Sequence, residues 1–245
     1  MSALELAQSL IKIKSISPKD GGCFGLIEAE LSPLGFQIER IPELNCETLL
    51  AKYGDSGKVF CYLGHTDVVP SGPEEEWTSH PFEANIVDGE LIGRGAADMK
   101  GSVAVFIESI KKFLADNPNP DFQIWLMLTS NEEGEPADGK INTLMDSLTD
   151  QNQFIDYCLV GEASSSDSVG DVLRVGRRGS LSGKLRLIGK QGHVAYPHKV
   201  LSPILEVGPI INELNQIIWD EGNEHFDPTS FQISNIDSGT GATNV

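Results

Sequence analysis

The chain has 245 residues, 40% hydrophobic and 22% charged, an ordinary globular composition that fills one large domain or two modest ones. A formal net charge of −18 excludes the basic footprint of a nucleic-acid binder and the polybasic patch of a membrane-surface protein. No apolar run approaches the ~20 residues needed to span a bilayer.

The N-terminal stretch is periodic in the helical sense (Leu4, Leu6, Ala7, Leu10, Ile11, Ile13) and predicts a helix over 3–14. It lacks the basic start and small-residue cleavage site of a signal peptide, so the cytoplasm is the expected compartment. Four cysteines, Cys23, Cys46, Cys61 and Cys158, stand far apart without a C-x-x-C pair and read as reduced, mostly buried thiols.

Further along, helical patterns cover 26–34, 101–117 and 142–148, and short apolar runs at 48–53, 59–63, 123–129 and 157–160 predict strands. Their alternation predicts an α/β fold, a mixed and mostly parallel sheet flanked by helices. Three of the strands run straight into polar clusters: Gly64-His65-Thr66-Asp67, Ser130-Asn131-Glu132-Glu133 and Gly161-Glu162. Ligands of open α/β sheets bind outside the carboxyl ends of the strands, so these clusters are the expected site. Beyond about residue 178 the texture changes, with alternating strand patterns at 180–190 and 230–236 around a helix at 203–219. The expected organisation is a metal-binding domain over 1–178 and the first part of a smaller α+β dimerisation domain over 179–245.

His65 at a strand end, two residues before Asp67, suits a metal-binding imidazole backed by a carboxylate; a structural histidine is the competing reading. The run from Gly93 to Gly101 fits neither a phosphate loop nor a dinucleotide fingerprint, and its Asp98 reads as a ligand or a helix N-cap. Glu132 and Glu133 are adjacent carboxylates after an apolar strand, costly unless something cationic satisfies them. Glu162 adds another carboxylate at a strand end. Imidazole and carboxylates without thiolate favour a catalytic zinc, cobalt or manganese site over a structural zinc. An aspartate able to bridge points to a two-metal centre.

The ordered set HTDVVP, GRGAADMKG, TSNEEGEPADG, GEASS, GRRGS and GHVAYPH resembles the zinc-dependent amidohydrolase and metallopeptidase family. That family includes succinyl-diaminopimelate desuccinylase, acetylornithine deacetylase, aminoacylase and carboxypeptidase G, and the last two motifs resemble the desuccinylase branch. The resemblance implies hydrolysis of N-succinyl-LL-2,6-diaminopimelate to succinate and LL-2,6-diaminopimelate. A related N-acyl-amino-acid deacylase and a non-catalytic metal-binding fragment stay open as alternatives. It implies two Zn2+ ions, with Co2+ also acceptable, and makes His65 and Glu162 terminal ligands of one ion. Asp98 becomes the bridge and Glu133 a ligand of the second ion. Glu132 becomes the general base, Asp67 the partner that orients His65, and a cis peptide follows Asp98. Arg177, suited to bidentate pairing with a substrate carboxylate, and Asn244 are the implied substrate contacts. His193 is implied to reach the active site of a partner subunit and stabilise the oxyanion, which makes the protein a homodimer. His80, His198 and His225 are expected to be surface or loop residues.

Members of the family run longer and supply a last histidine ligand from a returning C-terminal segment. Nothing after His225 matches that ligand, so the expectation is a truncated chain whose second ion is short of a ligand.

Overall fold

The computed structural model describes residues 1–135, 141–239, 241, 242 and 244. It divides into two compact units, Met1–Leu173 and Arg174–Val245.

The first unit opens with α1 (Ala3–Ile11), started by a capping box in which Ser2 and Glu5 satisfy each other's backbone N–H groups. α2 (Cys23–Leu31) follows, then the hairpin β1 (Gln37–Glu43) and β2 (Cys46–Tyr53), and then β3 (Val59–His65). A small hairpin, β4 (Asn85–Val87) with β5 (Glu90–Ile92), leads through the irregular turn Ala96–Lys100 into α3 (Gly101–Asp116). β6 (Gln123–Thr129), α4 (Asn142–Asp150) and β7 (Tyr157–Val160) complete the unit.

The sheet has the order β1-β2-β6-β3-β7. The β1–β2 and β2–β6 pairings are antiparallel, whereas β6–β3 and β3–β7 are parallel. The sheet is thus mixed, and its parallel part lies where the polar clusters leave the strands. β1 escapes a reading by alternation because it carries Glu39, Arg40, Pro42 and Glu43, the charges and proline that edge strands use against further pairing.

β6 is apolar on both faces, as a strand buried on both sides must be. Ile124, Leu126 and Leu128 join Leu49, Ala51 and Tyr62 against α1, α2 and α3. Trp125 and Met127 join Leu50, Val59 and Cys61 against Leu144 and Leu148 of α4. The helices therefore cover both faces of the sheet and leave the strand ends to the site. Cys23, Cys46 and Cys61 are buried, while Cys158 on β7 is exposed.

The second unit holds α5 (Pro203–Gln216), with proline at its first turn, and a short turn at Pro197–Lys199. The strands expected over 180–190 and 230–236 are not formed. An alternating pattern makes a strand only where a neighbour supplies a ladder and a surface to bury the apolar row. Here the pairing amounts to one bridge, Lys190 with Leu201, and Leu181, Leu185 and Ile188 are 99%, 64% and 79% exposed.

Candidate metal centre

β3 and β6 run in parallel with His65 opposite Thr129, and β7 pairs with β3 through Leu63 and Val160. This register brings three strand ends to one edge, so the residues just past them, Asp67, Glu132, Glu133 and Glu162, converge. Gly64 makes room for the Met99 side chain, since a Cβ there would lie 2.5 Å from the Met99 methyl carbon. The His65 N–H donates to the sulfur of Met99 at 3.3 Å. The peptide between Asp98 and Met99 is cis.

His65 is 1% exposed. Its Nδ1–H donates to the main-chain oxygen of Asp67 at 3.0 Å, and the Asp67 carboxylate stands 3.5 Å away. That anchor turns Nε2 toward Asp98 Oδ1 at 3.0 Å and Glu162 Oε1 at 3.3 Å. Burial alone would lower the imidazole pKa. The hydrogen bonds and charge of Asp67, with the charge of Glu162, outweigh burial and raise it to about 9. A proton and a metal ion compete for this same Nε2 lone pair.

Among the described residues, two groups of possible ligands have atoms within 4.8 Å of one another: His65 with Asp98 and Glu162, and His65 with Glu132 and Glu133. One ring nitrogen and carboxylate oxygens, without thiolate, fit zinc or a similar divalent ion. The Glu133 carboxyl is held above its ordinary value, first by burial and then by the Asp98 charge. Asp98 stands beside His65, and its charge acts on the Glu133 carboxyl. Glu132 is exposed.

Asp67 is fully buried. It accepts from the Ser17 hydroxyl at 2.5 Å and from the Glu132 and Glu133 N–H groups at 3.1 Å each. Burial pushes its carboxyl up, but His65, Ser17 and the Glu132 N–H together hold it below the ordinary range.

Two supporting residues escaped the sequence reading. Lys100 is fully buried and donates to the carbonyl oxygens of Leu10 and Ile13 at 2.9 Å each, closing the C-terminal end of α1. Burial lowers its pKa. Ser17 escaped because no local signal marks a serine as the donor to a carboxylate fifty positions away.

Arg177, His193 and Asn244 belong to the second unit, and all three are exposed. Residues 136–139 of the TSNEEGEPADG motif, and Thr240, Thr243 and Val245 of the terminal segment, lie outside the described residues. His80 pairs with Glu74 at 3.1 Å and is half-buried, and His225 is exposed beside Glu224.

The chain resembles named proteins over nearly all its length. It is 52% identical over 242 residues to succinyl-diaminopimelate desuccinylase of Methylobacillus flagellatus, covering 99% of this chain and 64% of that protein. The desuccinylase of Alkalilimnicola ehrlichii is 50% identical with the same coverage. The chain thus spans 64% of the length of these curated relatives. An M20 family metallo-carboxypeptidase from Sulfolobus solfataricus shares the fold with a TM-score of 0.64 and 19% identity, covering 93% of this chain and 51% of that one. A tripeptidase from Staphylococcus aureus does so with a TM-score of 0.63 and 15% identity, covering 99% and 62%. The profile of peptidase family M20/M25/M40 matches residues 61–241. With the sheet, the convergent ligand set and this match in agreement, the chain is a member of peptidase family M20/M25/M40.

Proposed function

We propose that this chain carries the metal site of an amidohydrolase that cleaves N-succinyl-LL-2,6-diaminopimelate to succinate and LL-2,6-diaminopimelate. The observation that carries the reading is the meeting of His65 Nε2 with the carboxylates of Asp98 and Glu162, beside Glu132 and Glu133. Its support from relatives is about 50% identity to desuccinylases across the chain. In this reading His65, Glu162 and Asp98 would hold one zinc, and Glu133 with Asp98 would hold the second, with cobalt an acceptable substitute. Bound in this way, the ions supply Lewis acidity toward the amide carbonyl and lower the pKa of water.

The protein's own groups do the rest. Asp67 fixes the His65 tautomer through Nδ1, which keeps Nε2 available as a ligand. Glu132 takes the proton from the attacking water and returns it to the leaving amine, a role that suits a carboxylate with an open face. Arg177 pairs with a carboxylate of the substrate, Asn244 hydrogen-bonds to it, and His193 stabilises the oxyanion across a homodimer. In this reading the protein works in the cytoplasm. No described helix is long and apolar enough to cross a membrane.

The test is release of diaminopimelate by the zinc-loaded protein, with N-succinyl- and N-acetyl-diaminopimelate compared as substrates. A preference for the succinyl compound that collapses in R177A supports the reading. Equal rates on the two substrates would replace it with a general deacylase, and turnover unchanged in E132Q would overturn the mechanism.

A further inference from the structure

We propose that Ser17 is a positioning residue of the metal centre, acting through Asp67. This rests on the metal-binding reading of His65, Asp98 and Glu162 and concerns how those ligands are held.

A buried carboxylate keeps one orientation only if donors occupy its lone pairs. Asp67 Oδ1 takes the Glu132 N–H, and Oδ2 takes the Glu133 N–H and the Ser17 hydroxyl. Of these bonds, the hydroxyl gives the shortest, in the range of a charge-assisted O–H···O⁻ contact. It comes from a third stretch of chain, outside both the His65 loop and the acidic loop.

That stretch is itself fixed. Ile16 bridges to Val68, the Ser17 N–H donates to Val68 O at 3.2 Å, and the Val68 N–H donates to Ser15 O at 2.9 Å. Segment 15–17 therefore runs alongside 66–68 as a short parallel pairing. On its other side Ser17 packs against Gly134, where an added Cβ would lie 3.1 Å from the Ser17 Cβ. The Ser130 hydroxyl, from the same acidic loop, donates to Pro18 O at 2.9 Å. Ser17 is thus wedged between the loop bearing His65 and the loop bearing Glu132 and Glu133. Its hydroxyl lies on the carboxylate that all of them share.

The chemical consequence runs through His65. Asp67 presents its main-chain oxygen and its carboxylate to Nδ1, and this contact aims Nε2. Loss of the Ser17 hydroxyl leaves Oδ2 with one donor, frees the carboxylate to turn, and loosens the His65 anchor and the Glu133 amide together. Removing an outer partner of this kind lowers metal affinity about 10- to 100-fold.

A purely structural role for Ser17 is the rival, and Ser15 supplies its control. Ser15 is fully buried in the same stretch, but its hydroxyl donates at 2.6 Å to the main-chain oxygen of Thr66 and makes no contact with a carboxylate.

The experiment measures zinc affinity of the full chain by competition with a chromogenic chelator, together with the thermal midpoint of the metal-free protein. The proteins are wild type, S17A, S15A, D67A and S17A/D67A. S17A is expected to bind zinc about 10- to 100-fold more weakly, whereas S15A lowers the midpoint and stays within about threefold of wild type in zinc affinity. In the D67A background, S17A is expected to add less than about threefold, since coupled residues are non-additive. Wild-type affinity in S17A, equal losses in S17A and S15A, or a full S17A effect without Asp67 would each overturn the proposal. A wild-type chain that binds no zinc would instead overturn the metal reading itself.

Discussion

Glu132 and Glu133 are adjacent in sequence, share Asp67 as acceptor for their amides, and still present different carboxyls. Both carboxylates reach His65, but burial and the Asp98 charge raise the Glu133 pKa, while Glu132 is the more exposed of the two. Two carboxylates in different surroundings can do different work. E132Q is therefore expected to keep its zinc while losing about 100- to 10,000-fold in turnover, the usual range for a general acid–base group. E133Q is expected to lose zinc affinity first; elemental analysis beside initial rates separates the two outcomes. Lys100 makes a different demand, because its ammonium is fully buried on two carbonyl oxygens. K100M keeps the volume and removes the donors, and it should cost about 2–3 kcal/mol in urea unfolding. His65, Glu132, Glu133 and Glu162 were legible as candidate ligands because each stands at or just past the end of an apolar strand. The sequence was silent on Lys100 and Ser17, whose partners are distant main-chain oxygens and a buried carboxylate.

Among strands and helices, legibility followed burial. β6 was read from sequence with its observed bounds, since a run apolar on both faces has few alternatives. Leu126 at its centre is fully buried, and L126A should cost about 2–5 kcal/mol in chemical denaturation. β1 went unread because its charges and proline serve an edge, and its place in the sheet comes from β2. It is also tied to α2, as Arg40 donates to both carboxylate oxygens of Glu28, at 2.6 and 2.8 Å. The Arg40 hydrogen bond holds the Glu28 carboxyl below its ordinary value. A depressed carboxylate stabilises the fold above its unfolded pKa of about 4.3 and loses that effect as pH falls through the lowered value. Wild type should thus exceed E28Q in thermal midpoint near neutrality by an amount worth at most about 1 kcal/mol, vanishing in acid.

For the protein as a whole, metal and stability are linked. An ion bound by the folded site and not by the unfolded chain adds RT ln(1 + [L]/Kd), about 2.7 kcal/mol at a hundredfold excess over Kd. Zinc should raise the melting temperature, a chelator should reverse the rise, and H65A should abolish the response, as calorimetry would show. The helix-covered α/β sheet of the first unit and a set of candidate ligands for a cation were legible in the amino-acid order alone. Those follow from local apolar period and from polar clusters at strand ends, which are properties of neighbouring positions. Tertiary structure decided what depends on distant neighbours. The β3–β6–β7 register, with the turn Ala96–Lys100, places His65 near Asp98 and Glu162 and near Glu132 and Glu133. Asp67 is buried among donors from two other stretches of chain. The alternating patterns at 180–190 and 230–236 show the same dependence from the other side, since a strand pattern without a pairing neighbour has no ladder to complete it.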